Sequence, residues 1–548
     1  MGGEIGAPTF DLVHEPWIPV AGRGGPRRAS LRDCLVSAHE IDGLAASPLE
    51  AVAVLRQVLL PVYLDAVFAE PRLPPPRDAD HWERLWQVGR LDGELIDAYL
   101  ARHAGRFQLF GERPFAQVAG LRTARDETKP VSLLIPSAAA GNNVPLFSAR
   151  TETDPPALSP AQAVMALLAA HCWDTAGIKT GAAGDPLAKA GKTTGNMTGP
   201  LGSLGVVVPL GPNLAKTLLL HTPFTPQPFR TADRPQWRAE PADDSYPGTP
   251  AWSTRPALGL LDLLTWQARR IRLIPEPGSD GRAVVRRVVL AAGDRLADIP
   301  QGYEPHTAWR LSPKLKRQVP VRHVAGRAAW RGLEPLLAVG GDPGDQVTST
   351  DRLRQIGELR MEECLPGNLP LQVLTVGLEY GTQSAVVVDV IADQIPLPVA
   401  ALAPSGPVRD FLDRIVRQAD DLRGAANRFG DDLRQAAGGN KLAWDKGQRA
   451  GDTLIHEFTP VARRILAGLQ KEPGRVGEAD GAWRATARRL AIDAAEPLLA
   501  CVPPESFLGR ELRDGHVRRA SVAEARYRGA IDKILGPREL APATNGGT

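Results

Sequence analysis

The alternation of apolar and polar positions divides the chain into a first part of short, turn-punctuated runs and a last part of long helical stripes. Phe10-Asp-Leu-Val alternates like the start of a strand, Trp17-Ile-Pro-Val follows, and the glycine-rich polar turn after it predicts a hairpin. Ser47-Pro48-Leu49-Glu50 has capping-box spacing with proline at the first helical position, and Val52, Leu55, Leu59 and Val62 continue at helical intervals. Ser159-Pro160-Ala161-Gln162 repeats the signature ahead of Val164, Leu167 and Leu168, with a long irregular region, Lys129 to Leu158, before it. Arg270 to Leu273 and Ala283 to Ala291 are β-branched and basic, as in a sheet with one solvated face.

Between His221 and Pro256 stand eight prolines, enough to exclude regular helix or a central strand and to predict an ordered crossing segment or a linker. After Pro407 the pattern changes. Phe411, Ile415, Leu422 and Phe429 share one helical stripe, and Leu454, Phe458, Val461 and Ile465 a second. Trp483, Leu490 and Leu498 form a third, and Tyr527, Ile531 and Ile534 a fourth, stopped by Gly536-Pro537. The prediction is an α+β fold: a mixed domain over residues 1–399, a four-helix bundle over 400–537 with short connections, and a disordered tail over 538–548.

The most apolar long stretch, Leu49 to Phe68, is interrupted by Glu50, Arg56 and Asp65, charges too expensive in hydrocarbon, so it reads as a buried helix and not a membrane span. The first ten residues hold an acid, Glu4, with no basic or apolar leader, and Gly6 stands where an acylation motif needs Ser or Thr. Cys34, Cys172, Cys364 and Cys501 lie far apart with no C-x-x-C pair, which fits a reducing cytoplasm and suggests neither disulfides nor a cysteine zinc site.

A net charge of +3 does not mark a polyanion binder, but 13 Lys and Arg against 6 Asp and Glu fall between Leu261 and Trp330. They include Arg269, Arg270, Arg272, Arg286, Arg287, Lys314, Lys316 and Arg317. Two readings stand: a solvated sheet face, or the electrostatic footprint of a nucleic-acid site.

Candidate enzymatic chemistry fails at each place it is invited. Gly191-Lys192-Thr193 imitates a phosphate-cradling loop, yet the glycine required five positions earlier is Pro186, which has no N–H to offer, and the preceding segment is a helix and not a buried strand. No histidine belongs to a ligand motif; His14, His171 and His306 read as packed or capping residues, and no nucleophile elbow occurs. Asp243-Asp244, Asp420-Asp421 and Glu362-Glu363 read as solvated charge. The expectation is a protein without catalytic residues or cofactor.

Several segments in order resemble one family, the large subunit (CasA) of the type I-E CRISPR surveillance complex, Cascade. They are Phe10-Asp-Leu-Val-His-Glu-Pro-Trp-Ile-Pro-Val, Arg113-Pro-Phe-Ala-Gln117, the loop Gly141-Asn142-Asn143 ending Leu146-Phe147-Ser148, and Gly177-Ile-Lys-Thr-Gly181. Pro235-Gln-Trp237, Thr265-Trp-Gln267, Gly302-Tyr-Glu-Pro-His306, Gly340-Gly341 through Gln346, and Thr375-Val-Gly-Leu-Glu-Tyr380 continue the series. The resemblance implies a non-catalytic subunit that sits beside the crRNA 5′ handle and the other Cascade subunits. It would read the protospacer-adjacent motif (PAM) of double-stranded DNA through the minor groove, start duplex opening and R-loop formation, and recruit the helicase–nuclease.

Position by position, Gln346 resembles the family's glutamine wedge, with Asp345 beside it; an ordinary Gly-Asp-Pro-Gly-Asp turn is the plain alternative. Asp174-Thr175-Ala176-Gly177 matches the glycine-rich loop but is poorer in glycine, and Arg295 stands at or near the lysine-finger position. Leu146, Phe147 and Ser148, with Asn142 and Asn143, resemble the loop that anchors the subunit near the crRNA; packing of Phe147 into the core is the other reading. Gly177 to Gly181 and a flexible stretch through Lys189 and Lys192 are expected to face nucleic acid, with Lys179 among the lysines that neutralise phosphates. Some relatives carry a cysteine-based zinc knuckle; its absence here implies no metal. The rival functions are a structural subunit that holds RNA without reading DNA, and a nucleotide-dependent factor using Lys192.

Overall fold

The computed structural model describes residues 8–69, 78–136, 138, 154–223, 232–243, 246–299, 301–340, 346–442, 449–511 and 517–537. The chain forms two compact units. One comprises Met1–Arg327, Ala338–Pro366 and Leu371–Gln394; the other comprises Ala328–Leu337, Gly367–Pro370 and Ile395–Thr548. The second thus borrows two short pieces from before residue 395. The fold is α+β, mixed in the first unit and helical in the second.

In the first unit a five-stranded sheet runs in the order Lys129–Pro130, Ala283–Ala292, Gly177–Thr180, Lys192–Asn196, with Arg269–Pro277 also paired to Ala283–Ala292. The long pair is antiparallel from Ala283↔Pro277 to Ala292↔Arg269, with a register shift between Val285 and Arg287. The helix Pro160–Trp173 is apolar all round and buried nearly throughout, as a helix of that pattern must be. Its start carries a complete capping box: Ser159 Oγ accepts from Gln162 N at 3.3 Å, and Gln162 Oε1 accepts from Ser159 N at 3.0 Å. At Ser47 the same sequence behaves differently, because the Ser47 hydroxyl donates to Glu50 Oε2 at 2.7 Å and caps no backbone N–H.

The apolar stretch after Ser47 is helical as Pro48–Val54 and Leu60–Ala69, joined by a π-helical turn, Leu55–Leu59. Pro48–Phe68 is long and apolar enough to cross a membrane by length and composition, but 89% of its apolar window is buried inside the protein. Its two inward charges are satisfied there. Arg56 makes a bidentate pair with Glu304 at 2.7 and 2.8 Å, and Asp65 accepts from Tyr99 Oη at 2.5 Å and Arg238 at 2.7 Å. The first hairpin is Ile18–Gly22 with Arg27–Ala29; Phe10–Val13 is not its partner strand, being a turn with a single bridge, Asp11↔Gln108. The described part of the proline-rich segment is an ordered crossing, pinned by buried Trp237 and Trp252.

The second unit is a four-helix bundle of Pro407–Ala436, Ala450–Lys471, Val476–Asp493 and Ala520–Leu535. Phe411, Ile415, Leu422 and Phe429 are all buried, as are Leu454, Phe458 and Ile465. The third stripe is corrected to Trp483, Ala487 and Ala491, with Leu490 only half-buried and Leu498 in a separate short helix, Glu496–Ala500. The Trp483 indole, edge-on to Phe458 at 5.3 Å, fills the space, so alanines suffice on the turns beyond it. The last connection is not short: between Asp493 and Ala520 it holds the helices Glu496–Ala500 and Glu505–Leu508 and a hairpin, Arg510–Glu511 with Val517–Arg518.

Candidate nucleic-acid interface

The glycine-poor loop after the capped helix is held from beneath by one arginine. Arg269, 3% exposed, donates to Asp174 Oδ2 at 2.5 Å, to the carbonyl oxygens of Thr175 and Met197 at 2.9 and 2.7 Å, and to its neighbour Ala268 O at 2.6 Å. Lys179 Nζ lies 2.6 Å from the same carboxylate oxygen. Burial alone would raise the Asp174 carboxyl, but the two cations, Arg269 foremost, hold it below its ordinary range. Burial, together with Arg269, lowers the Lys179 ammonium despite Asp174. Gly199 closes the arrangement: its N–H donates to Asp174 O at 2.8 Å, and a Cβ there would stand 2.3 Å from Cys172 O, so only glycine fits.

Thr175, Ala176 and Gly177 therefore form a braced ledge, half-exposed, with Ala176 N donating to Ser384 O at 2.9 Å. The ledge walls a cavity of about 360 Å³ whose other side is Lys129, Ser132 and Ile135.

Gly177–Thr180 and Lys192–Asn196 pair as a hairpin, Gly177↔Asn196 to Thr180↔Lys192, which corrects the expectation of a flexible loop. A register shift falls opposite Ile178, where Gly195 takes φ +69°, a conformation glycine adopts without strain. The strands are joined by residues 181–191, which end in a two-residue turn, Ala190 and Gly191 with φ +49° and +72°, closed by Lys189 N to Lys192 O at 2.9 Å and Lys192 N to Lys189 O at 3.0 Å. Lys192 and Thr193 thus lie on a strand that leaves a tight turn, whereas a phosphate-cradling loop opens a helix. Thr193 is buried, its hydroxyl on Asp185, while Lys189 and Lys192 are exposed. Lys179 is the exception among the three lysines: its side chain is 11% exposed and turned to Asp174.

Arg295 is not an extended finger. Its guanidinium stacks 4.2 Å over the Trp252 ring and donates to Thr194 O at 2.6 Å, so it braces the back of the hairpin. It lines a second cavity, of about 280 Å³, with Met197, Arg269, Trp309, Arg317 and Gln318.

That second cavity leads to the hairpin Trp309–Ser312 and Arg317–Pro320, which pairs Trp309↔Pro320 to Ser312↔Arg317. Its other edge takes Val347–Thr348, and Leu311 N donates to Gln346 O at 2.9 Å. Gln346 is exposed at the end of this pairing, its carbonyl held by that hydrogen bond. Asp345, Asn142, Asn143, Leu146, Phe147 and Ser148 lie outside the described residues.

The motifs that carried the resemblance are mostly structural. Gln117 bridges Leu109 O and Leu273 N, both at 2.8 Å; Trp237 Nε1 donates to Tyr99 Oη at 2.8 Å; Tyr380 Oη donates to Trp173 O at 2.7 Å. Glu304 and His306 belong to a wholly buried network. Arg56 donates to His306 Nδ1 at 2.6 Å; arginine cannot accept, so His306 Nε2 donates to His221 Nδ1 at 2.9 Å, and His221 Nε2 to Pro209 O at 2.9 Å. Burial, then nearby arginines, holds both rings neutral, with His221 pulled down to about 3. His171 is likewise buried, on Ala116 O, and pulled down to about 4, while His14 is exposed. Periodicity could not show this network, because its members come from a helix, a helix end and a loop.

A mixed domain with exposed turns on a braced frame, followed in sequence by a helical bundle, is an architecture shared with solved CRISPR-associated proteins. The chain belongs to the CRISPR-associated protein Cse1 family, whose model matches residues 11–494, and this is the CasA family of the resemblance above. It is 30% identical over 533 residues to CasA/Cse1 of Thermus thermophilus, covering 92% of this chain and 97% of that protein. The crystal structure of Thermobifida fusca Cse1 has a TM-score of 0.81 at 30% identity, covering 96% of this chain and 98% of that one. A chain of a CRISPR RNA-guided surveillance complex shares the fold, with a TM-score of 0.66 at 22% identity over 96% of this chain and all of that one.

Proposed function

We propose that this protein is the PAM-reading, non-catalytic large subunit of a crRNA-guided type I-E Cascade in the cytoplasm. It engages PAM-bearing duplex DNA from the minor groove, starts R-loop formation, and offers the helicase–nuclease its docking surface. The observation that carries this reading is Gln346: an exposed glutamine whose carbonyl is held by Leu311 N, beside a hairpin that lines one cavity together with Arg269, the residue that braces the ledge Thr175–Gly177. A wedge needs such a mount, because unstacking a base step costs about a few kcal/mol and a mobile side chain would yield instead.

The ledge, braced by Arg269, supplies backbone close to a minor groove; Lys189 and Lys192 supply phosphate contacts from the turn that leads into the strand Lys192–Asn196. Lys179 and Arg295 act from behind as positioning residues. The crRNA 5′ handle and the other Cascade subunits are its partners in this reading. The test is R-loop formation by the reconstituted complex on a PAM-bearing duplex: Gln346→Ala should slow opening at least tenfold while leaving crRNA loading intact. Unchanged opening would remove the wedge assignment, and equal affinity for PAM and non-PAM duplexes would favour a subunit that only holds RNA.

A further inference from the structure

The basic hairpin that adjoins Gln346 ends in Pro313-Lys314-Leu315-Lys316, and its tip is built to a fixed shape. Ser312 closes it twice, its carbonyl accepting from Lys316 N at 2.8 Å and its hydroxyl from Leu315 N at 3.2 Å, and Lys316 takes the left-handed conformation, φ +50°. Lys314 and Lys316 are exposed and make no ion pair among the described residues, while the next residue, Arg317, faces Asp298 at 3.7 Å. Leu315 stands 54% exposed between the two lysines. An apolar apex flanked by cations is poorly suited to plain solvation, since an exposed leucine gains nothing from water. The same arrangement suits a polyanion whose sugars offer apolar contact between phosphates.

Position decides which polyanion. The tip begins two residues beyond Leu311, whose N–H holds the Gln346 carbonyl. At a strand rise of roughly 3.3 Å per residue, the lysines stand within about 10 Å of Gln346 along the hairpin. That distance spans roughly three nucleotides of a DNA strand.

We propose that Lys314 and Lys316 form a phosphate clamp on DNA next to Gln346, with Leu315 packing on the intervening sugar. The inference rests on the reading that Gln346 meets DNA. The clamp holds a strand at the point where the glutamine parts it, so opened bases are kept from closing again. Its phosphates belong either to the closed duplex or to the displaced strand, and substrate choice separates the two.

The experiment compares the crRNA-loaded complex carrying wild-type chain or Lys314→Ala/Lys316→Ala on a closed PAM-bearing duplex and on a pre-opened bubble, from 50 to 200 mM salt. Two lost phosphate contacts should flatten the slope of log affinity against log salt by about 1.8 on duplex, or about 1.4 if the phosphates are single-stranded. The ratio of PAM to non-PAM affinity should not change, because phosphate contacts carry no sequence information. Slopes equal to wild type on both substrates, for this variant and for Lys314→Glu/Lys316→Glu, would overturn the clamp. The Gln346→Ala complex separates the two ideas: flattened slopes with normal opening in Gln346→Ala keep the clamp and remove the wedge, and the opposite pattern removes the clamp alone.

Discussion

The paired strands Arg269–Pro277 and Ala283–Ala292 and the hairpin Trp309–Pro320 are both basic in sequence, and the structure uses their charges in opposite ways. Arg269 and Arg270, 3% and 1% exposed, face inward onto Asp174 and Asp294 and onto backbone carbonyls. Arg287 holds Thr128, and Arg286 pairs with Glu276 at 3.1 Å. On the hairpin, Lys314 and Lys316 point outward. Neither of the two readings of the basic segment covers all of it: Arg269 and Arg270 are internal scaffolding, while Lys314 and Lys316 on the hairpin are surface cations. A charge count locates arginines along the chain; the direction of each side chain decides whether it is structural or available.

The contrast can be broken most severely at Arg269. Arg269→Ala leaves Asp174 and Lys179 buried with four lost donor contacts, and should cost about 3–5 kcal/mol, read by chemical denaturation of the full chain. A loss below about 1 kcal/mol would mean the ledge is not braced from beneath. Acid should act next, and on the buried side alone. His221 and His306 must be neutral in the fold, and their folded values lie below the ordinary histidine value of about 6.5, so their stabilisation is complete above that pH. It is lost as pH falls from about 6.5 toward about 3, with His171 adding to the loss between about 6.5 and about 4. Thermal melts across that range should show the decline, and His221→Asn should shallow it; a flat profile would contradict the neutral network. The smallest effect belongs to the half-exposed pair Arg286–Glu276, where Arg286→Ala should cost about 1 kcal/mol or less. A larger cost there would blur the line between scaffold and surface.

Legibility followed the same division. Helical stripes declared the bundle because Phe411, Ile415, Leu422 and Phe429 bury one face, a property of spacing alone. The third helix escaped in detail because Trp483 fills enough volume for Ala487 and Ala491 to serve as core, and alanine carries little hydrophobic signal. The hairpin Gly177–Asn196 escaped because its short strands are rich in Gly, Lys and Thr, and its pairing to Ala291 spans more than a hundred residues. Among the candidate site residues, Gln346, Lys189 and Lys192 are exposed, whereas Lys179 and Arg295 turn to partners that sequence spacing could not reveal.

The sequence by itself determined the α+β class, the bundle, the burial of the charged helix after Ser47, and the failure of Gly191-Lys192-Thr193 as a nucleotide loop, since each depends on local spacing or on a missing N–H at Pro186. Tertiary structure alone decided which cations are scaffold and which are surface. Asp174 comes to Arg269 from 95 residues away and Glu304 to Arg56 from 248, and only folding sets such distant charges within hydrogen-bonding reach.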